Sequence, residues 1–248
     1  MKKLAVFFML LAFSIFLSGC REKTSHCPLD INEIDFTFGI DYDHPETYLI
    51  PGEQSDLSDE NFELVRKSID HLDDEFEEIL RVCHWINRNF TFQDAGGSMA
   101  GVQDVNMHFV DRVFYGCHSL SLIISSVLRK YGFPTVMIET ADIQWAYDEY
   151  DGMAGYMKGH VMTEVFVEGQ WILLDNNCKY VKDYDYTNPY IQQIMPSQKG
   201  WFVLGKGFDT WDYSNRSEDF TRTEMKFFSD NVFCYEELFY TVVYNWDY

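Results

Sequence analysis

Apolar residues recur along the chain in two rhythms, first helical and then strand-like. Phe62, Val65, Ile69 and Leu72 fall at three- and four-residue intervals and predict an amphipathic helix, with Asp56 or Ser58 as its N-cap. In "DDEFEEILRVCHWINRNF" the stripe is Phe76, Ile79, Cys83, Ile86 and Phe90. Acidic residues crowd the start of this second helix and Arg88 lies near its end, as the helix dipole favours. "VQDVNMHFVDRVFYG" predicts a shorter, weaker helix ending near Gly116. The next helix runs from about Cys117 to Tyr131 and turns Leu120, Ile123, Ile124, Val127, Leu128 and Tyr131 inward. Gly132 closes it, and Pro134 prevents continuation.

Beyond Pro134 the period shortens. "TVMIET" predicts a buried strand, "GWFVLGKG" another, and "HVMTEVFVEGQWILLDNN" two strands joined at Glu168-Gly169. Between the first strand and this hairpin, "ADIQWAYDEYDGMAGYMKG" reads as a loop long enough to form a lid. Its Trp145, Tyr147, Tyr150 and Tyr156 would line a peptide or sugar groove or pack the loop itself. "QDAGGSMAG" predicts a flexible loop between the second and third helices, and the C-terminal run shows no clear period. Helices followed by mostly antiparallel strands make an α+β chain. Residues 1–19 read as a leader, 20–55 as a tether and cap, 56–180 as the core, and 181–248 as an extension packed on it.

Composition adds bounds. The chain has 248 residues, 46% of them hydrophobic, enough for a sizeable core. A formal charge of −21 repels phosphate backbones and argues against nucleic acid as a partner. "MKK" followed by "LAVFFMLLAFSIFL" is a basic and then apolar leader, too short to span a membrane. "LSGC", Leu17 to Cys20, resembles a bacterial lipobox. That resemblance implies cleavage before Cys20, acylation of its thiol and amine, and a membrane anchor at the envelope, on the outer membrane or cell surface. An ordinary signal peptide with a chance cysteine is the alternative. Acylation of Cys20 leaves Cys27, Cys83, Cys117, Cys178 and Cys234, an odd number, so at least one thiol stays unpaired. No CxxC pair or calcium loop occurs, and no metal or cofactor is expected.

The hairpin places chemistry. A two-residue turn pairs Val167 with Gln170, so His160 and Asp175 become diagonal neighbours on one sheet face. A carboxylate there can fix the tautomer and orientation of the imidazole. Cys117 opens a helix, where the positive end of the dipole favours thiolate. Each residue also has an ordinary reading: a small core hydrophobe for Cys117, a satisfied strand histidine for His160, a turn cap for Asp175. His118, about 100° further round the helix, reads as a rim residue.

"ILRVCHWINRNFTF", "GCHSLSLIISSVLRKYGFPTVMIET" and "GHVMTEVFVEGQWILLDNN" together resemble the transglutaminase-like family of the papain-like superfamily, over about residues 76 to 180. The resemblance implies Cys117 as nucleophile, His160 as general base and acid, Asp175 as its orienting partner, and Trp171 as a structural tryptophan. Together with the lipobox, it implies a peptide or protein substrate at the envelope. Gly116 stands one position nearer the cysteine than the family's glycine, and Met162 replaces a common aromatic. The expected activity is acyl-thioester chemistry on peptide or carboxamide bonds, hydrolysis ahead of cross-linking. The alternative is a catalytically silent surface module that binds peptide or glycan. The Cys117 amide is one natural oxyanion donor; Trp85, Gln93, Gln103 and Asn106 are candidates for the second.

Overall fold

The computed structural model describes residues 30, 33–69, 72–95, 101–192, 199–213, 218–239 and 244–247. The expected leader, the expected lipidation site Cys20, Cys27 and the loop glycines Gly96 and Gly97 lie outside the described residues. Among the described residues, four α-helices precede the main sheet. Helix α1 (Asp59–Arg66) starts at Ser58, whose hydroxyl accepts the Asn61 N–H at 3.3 Å. It stops before the expected Leu72. Ser68 Oγ donates to Leu64 O at 3.1 Å, a local bond of the kind that competes with helix continuation. Helix α2 (Glu75–Asn89) is capped by Asp74 and buries Phe76, Ile79, Val82, Cys83 and Ile86.

Helix α3 (Val105–Asp111) ends earlier than its sequence predicts. Arg112 takes φ 56° and sets its guanidinium 5.3–5.5 Å from the ring centroids of Trp85, Phe90 and Phe109. Cation–π contact with three rings stabilises a conformation that the local sequence does not favour. The chain then forms β2 (Val113–Phe114), parallel to β1 (Thr91–Phe92). Helix α4 (Cys117–Tyr131) has the expected bounds, with Gly132 left-handed at φ 98° and its N–H on Arg129 O. Nearly every residue of α4 beyond the first turn is buried, including Ser121, Ser125 and Ser126, so it is a central helix rather than an amphipathic surface one.

The main sheet has six strands, all neighbours antiparallel: β3 (Thr135–Asp142), β4 (Gly159–Val167), β5 (Gln170–Asp175), β6 (Lys179–Val181), β7 (Tyr190–Ile191) and β8 (Trp201–Gly207). Their spatial order is β6-β5-β4-β3-β8-β7. The β4–β5 turn is the two-residue one, with φ 49° at Glu168 and 79° at Gly169, and Val167 pairs with Gln170. Both faces are covered. Met137, Val165, Ile172 and Leu174 pack with α2 and α4; Ile138, Met162, Leu173 and Val203 pack on the opposite side with Tyr184 and Tyr244. Alternate residues of one strand therefore feed different cores, which makes β3 apolar along most of its length. Strand β8, drawn from the C-terminal part of the chain, lies inside the sheet beside β3. The architecture is α+β, with the helix that starts at Cys117 packed on an antiparallel sheet.

The expected lid is a loop only in its second half, residues 151–158. Ile143–Tyr150 form helix α5, capped by Asp142, whose carboxylate accepts the Trp145 N–H at 2.7 Å. Ile143, Trp145 and Ala146 are buried with Phe228 of α7 (Glu218–Asn231) and with Val232 and Tyr235 after it. Those partners lie some eighty residues on, so the local composition could not reveal them. Tyr147 and Tyr150 pack edge-on against Phe233, and Tyr156 is exposed. No described helix is long and apolar enough to cross a membrane.

Candidate active site

Cys117 is the first residue of α4 and is half-buried. Gly116 before it holds φ 145° and ψ −167°, a region open essentially to glycine, and this bend sets the entry into the helix. The helix is locked to the sheet just below the thiol. Ser121 Oγ donates to Val161 O at 2.8 Å, and Asn176 Nδ2 reaches both Val161 O (3.3 Å) and Ser121 Oγ (3.5 Å). Asn87 Nδ2 of α2 donates to Asn176 O at 2.9 Å. Helix α4, strand β4 and the loop after Asp175 are thus one hydrogen-bonded unit.

His160 Nε2 lies 2.7 Å from Asp175 Oδ2. The diagonal placement expected from the hairpin register is the one observed. The other Asp175 oxygen accepts the Asn177 N–H at 2.8 Å, so both carboxylate oxygens are occupied. Burial pushes Asp175 up, but its bonds to His160 and Asn177 outweigh this and hold the carboxyl below its ordinary value. Trp201 of β8 lies 5.3 Å from the His160 ring, tilted 34°. With Nε2 on Asp175, Nδ1 is the ring nitrogen left to exchange a proton with a thiol.

His118 corrects an expectation. It is not on the rim: its Nδ1 lies 4.0 Å from Cys117 Sγ, and its Nε2 lies 3.2 Å from Glu139 Oε1. A 100° step separates the two Cα–Cβ directions, but side chains lean toward the helix N-terminus. At the open end of α4 they converge in front of the first turn. Glu139, 4% exposed, comes from the middle of β3. Neither residue was singled out as functional from sequence, although Glu139 left a trace there: one carboxylate in the otherwise apolar run "TVMIET" requires a buried partner.

Burial alone would raise the Cys117 thiol. Hydrogen bonds and charge from His118 and His160 reverse that and bring it from 9.0 down to about 5. Burial likewise opposes charge on both rings. Glu139 and Cys117 overcome it at His118, and Asp175 and Cys117 at His160, so each rises from 6.5 to about 10. All three shifts favour the charged over the neutral form, a thiolate paired with imidazolium at His118 and His160.

Four residues were candidates for the second oxyanion donor. Asn106 is committed elsewhere: its Oδ1 accepts from Ser58 N and Asn61 Nδ2, and its Nδ2 donates to Asp56 O. Gln103 lends its carbonyl to Gln54, and Trp85 packs on Phe90 and Arg112. Gln93 donates its backbone N–H to Phe114 O at 2.9 Å, which carries it to the segment leading into Cys117. Cys83 and Cys178 are free buried thiols, and Asn87 Nδ2 contacts both sulfurs. Among the described residues no group of His, Cys, Asp and Glu side chains could hold a metal ion. A groove of about 400 Å³, lined in part by Glu75, Glu78 and Gly169, sits at the turn end of the hairpin. His160 is eight residues away along β4, roughly 26 Å, so this groove is not where substrate would meet the thiol.

No protein-family model matches the chain, and no curated protein matches it. Among solved structures, the crystal structure of a candidate cysteine protease from Cytophaga hutchinsonii is similar at a TM-score of 0.48 and 17% identity. The match covers 70% of this chain and 50% of that one, so this chain spans about half the length of its neighbour.

Proposed function

We propose that the protein is an extracytoplasmic, lipid-anchored thiol enzyme that cleaves peptide or carboxamide bonds through an acyl-thioester. The observation that carries this reading is the 2.7 Å His160–Asp175 bond beside a thiol brought down to about 5. The thiolate of Cys117 attacks the carbonyl carbon; a C–S bond forms and the carbonyl π pair moves to oxygen. Collapse of this intermediate breaks the C–N bond, and the nitrogen leaves with the proton from His160 Nδ1. His160, now neutral, takes a proton from water as its oxygen attacks the thioester. The carboxylic acid is released, and thiolate and imidazolium are restored. Asp175 keeps the ring oriented throughout.

The location belongs to the same proposal. The "LSGC" run would supply the anchor at Cys20, and several acyl chains together hold a protein stably on a bilayer. Cys234 is disulfide-bonded, which fits an oxidising compartment.

A thiol-directed acyl probe applied to the folded protein at pH 7 is expected to label Cys117, and Cys117→Ala to abolish labelling. A peptide library with mass readout is expected to yield products carrying a new carboxylic acid. Absence of labelling would sink the enzyme reading in favour of a silent binding module. Products joined to an added amine would convert hydrolysis into amine transfer.

A further inference from the structure

We infer that His118 and Glu139 form a second imidazole–carboxylate pair on the same thiol, serving as the standing counter-ion of the Cys117 thiolate while His160 carries the proton. This rests on the thiol-enzyme reading proposed above. The two arms are built alike. Each ring offers Nε2 to a carboxylate, His118 to Glu139 at 3.2 Å and His160 to Asp175 at 2.7 Å. His118 turns its Nδ1 to the sulfur at 4.0 Å. The carboxylates come from different strands: Glu139 from inside β3, where it pairs with Val161 and Gly205, and Asp175 from the end of β5.

The two rings cannot have identical work. In the cycle above, His160 must lose its proton to the leaving nitrogen and recover one from water. No step calls on a proton from His118. It therefore stays cationic beside the sulfur, both before attack and when the thioester collapses and the thiolate returns. Glu139 is almost fully buried, where a carboxylate needs a charge-complementary partner, and His118 is the one its Oε1 meets.

The other titratable groups around the sulfur do not replace His118. His160 and Asp175 form the other arm. Tyr213, at the end of α6 (Thr210–Tyr213), has a buried hydroxyl with no hydrogen-bond partner among the described residues. Burial first, then the charges of Glu139, Asp209, Cys117 and Asp212, push it well up, so it stays neutral and offers no cation.

The test is the pH dependence of Cys117 alkylation by iodoacetamide on the folded chain, with peptide mapping to separate Cys117 from Cys83 and Cys178. This reads the thiolate without needing a substrate. Wild type is expected to show its inflection near pH 5. His118→Gln and Glu139→Gln are each expected to move it up and slow alkylation at pH 6 by about tenfold or more. Glu139→Gln keeps the His118 ring and removes only the anion, so it reads the charge even where His118→Gln loosens the helix start. His160→Gln is expected to lose turnover yet keep its inflection below the ~8.5 of a free cysteine. Wild-type inflections in both His118→Gln and Glu139→Gln would overturn this inference and leave the enzyme reading intact. A wild-type inflection near ~8.5 would overturn both.

Discussion

Cys117 between two rings sets a wide pH window. On the proposed mechanism, protonation of the sulfur would remove the nucleophile below about 5, and deprotonation of His160 would remove the acid above about 10. Once a substrate is found, kcat/KM against pH should rise through the first value and fall through the second. A flat profile across pH 4–7 would contradict the thiolate. Asp175→Asn removes the anion that raises His160 and orients it. Turnover should fall by about 10²- to 10⁴-fold, and the alkaline limb should move to lower pH. Three of these side chains were legible in the sequence, because Cys117, His160 and Asp175 each mark an element boundary. His118 was visible but misread, since helical angle alone ignores the forward lean of side chains over an open first turn. Glu139 could be noticed only as an oddity until a strand placed it opposite a ring.

Helix α4 shows how far local signals reach. Gly132 and Pro134 define one end and Gly116 the other, and all three are readable from residue type. A Cβ at position 116 would meet nothing within 4 Å, so the requirement for glycine there comes from φ 145° and not from crowding. Gly116→Ala and Gly116→Asn should therefore cost alike, about 1–3 kcal/mol each, because this region excludes every L side chain. Equilibrium denaturation would measure it. A markedly milder Asn variant would indicate an ordinary left-handed cap. The β4–β5 hairpin was equally legible, because a two-residue turn with glycine fixes register by itself. Helix α5 and the early end of α3 were not. The first depends on apolar partners in and after α7, the second on three rings that hold Arg112.

Across the molecule, one buried charge pair ties distant segments. Lys206 of β8 donates to Glu164 of β4 (2.8 Å), to Tyr42 Oη (2.6 Å) and to Tyr186 O (2.8 Å). Tyr42 and Tyr184 donate to the two Glu164 oxygens at 2.6 and 2.9 Å. Both charged side chains are at most 1% exposed. Lys206→Met would strand Glu164 in the interior and should cost about 3–5 kcal/mol, seen as a lower unfolding midpoint; a change within ~0.5 kcal/mol would mean Glu164 is otherwise compensated. Thiol accessibility offers a second check. Alkylation in denaturant without reductant should mark Cys83, Cys117 and Cys178 but spare Cys234. Modification of Cys234 would contradict its disulfide.

The residue pattern along the chain carries the helix that Cys117 opens, the hairpin that aligns His160 with Asp175, and the sorting of strands from helices. Each depends on neighbours a few residues away, where period, cap and turn chemistry operate. The insertion of β8 beside β3, the α5–α7 contact, the Lys206–Glu164 tie and the His118–Glu139 arm depend on groups brought together from about 20 to more than 80 residues apart. No local pattern encodes such meetings. They arise when the sheet is assembled and the buried charges must find partners.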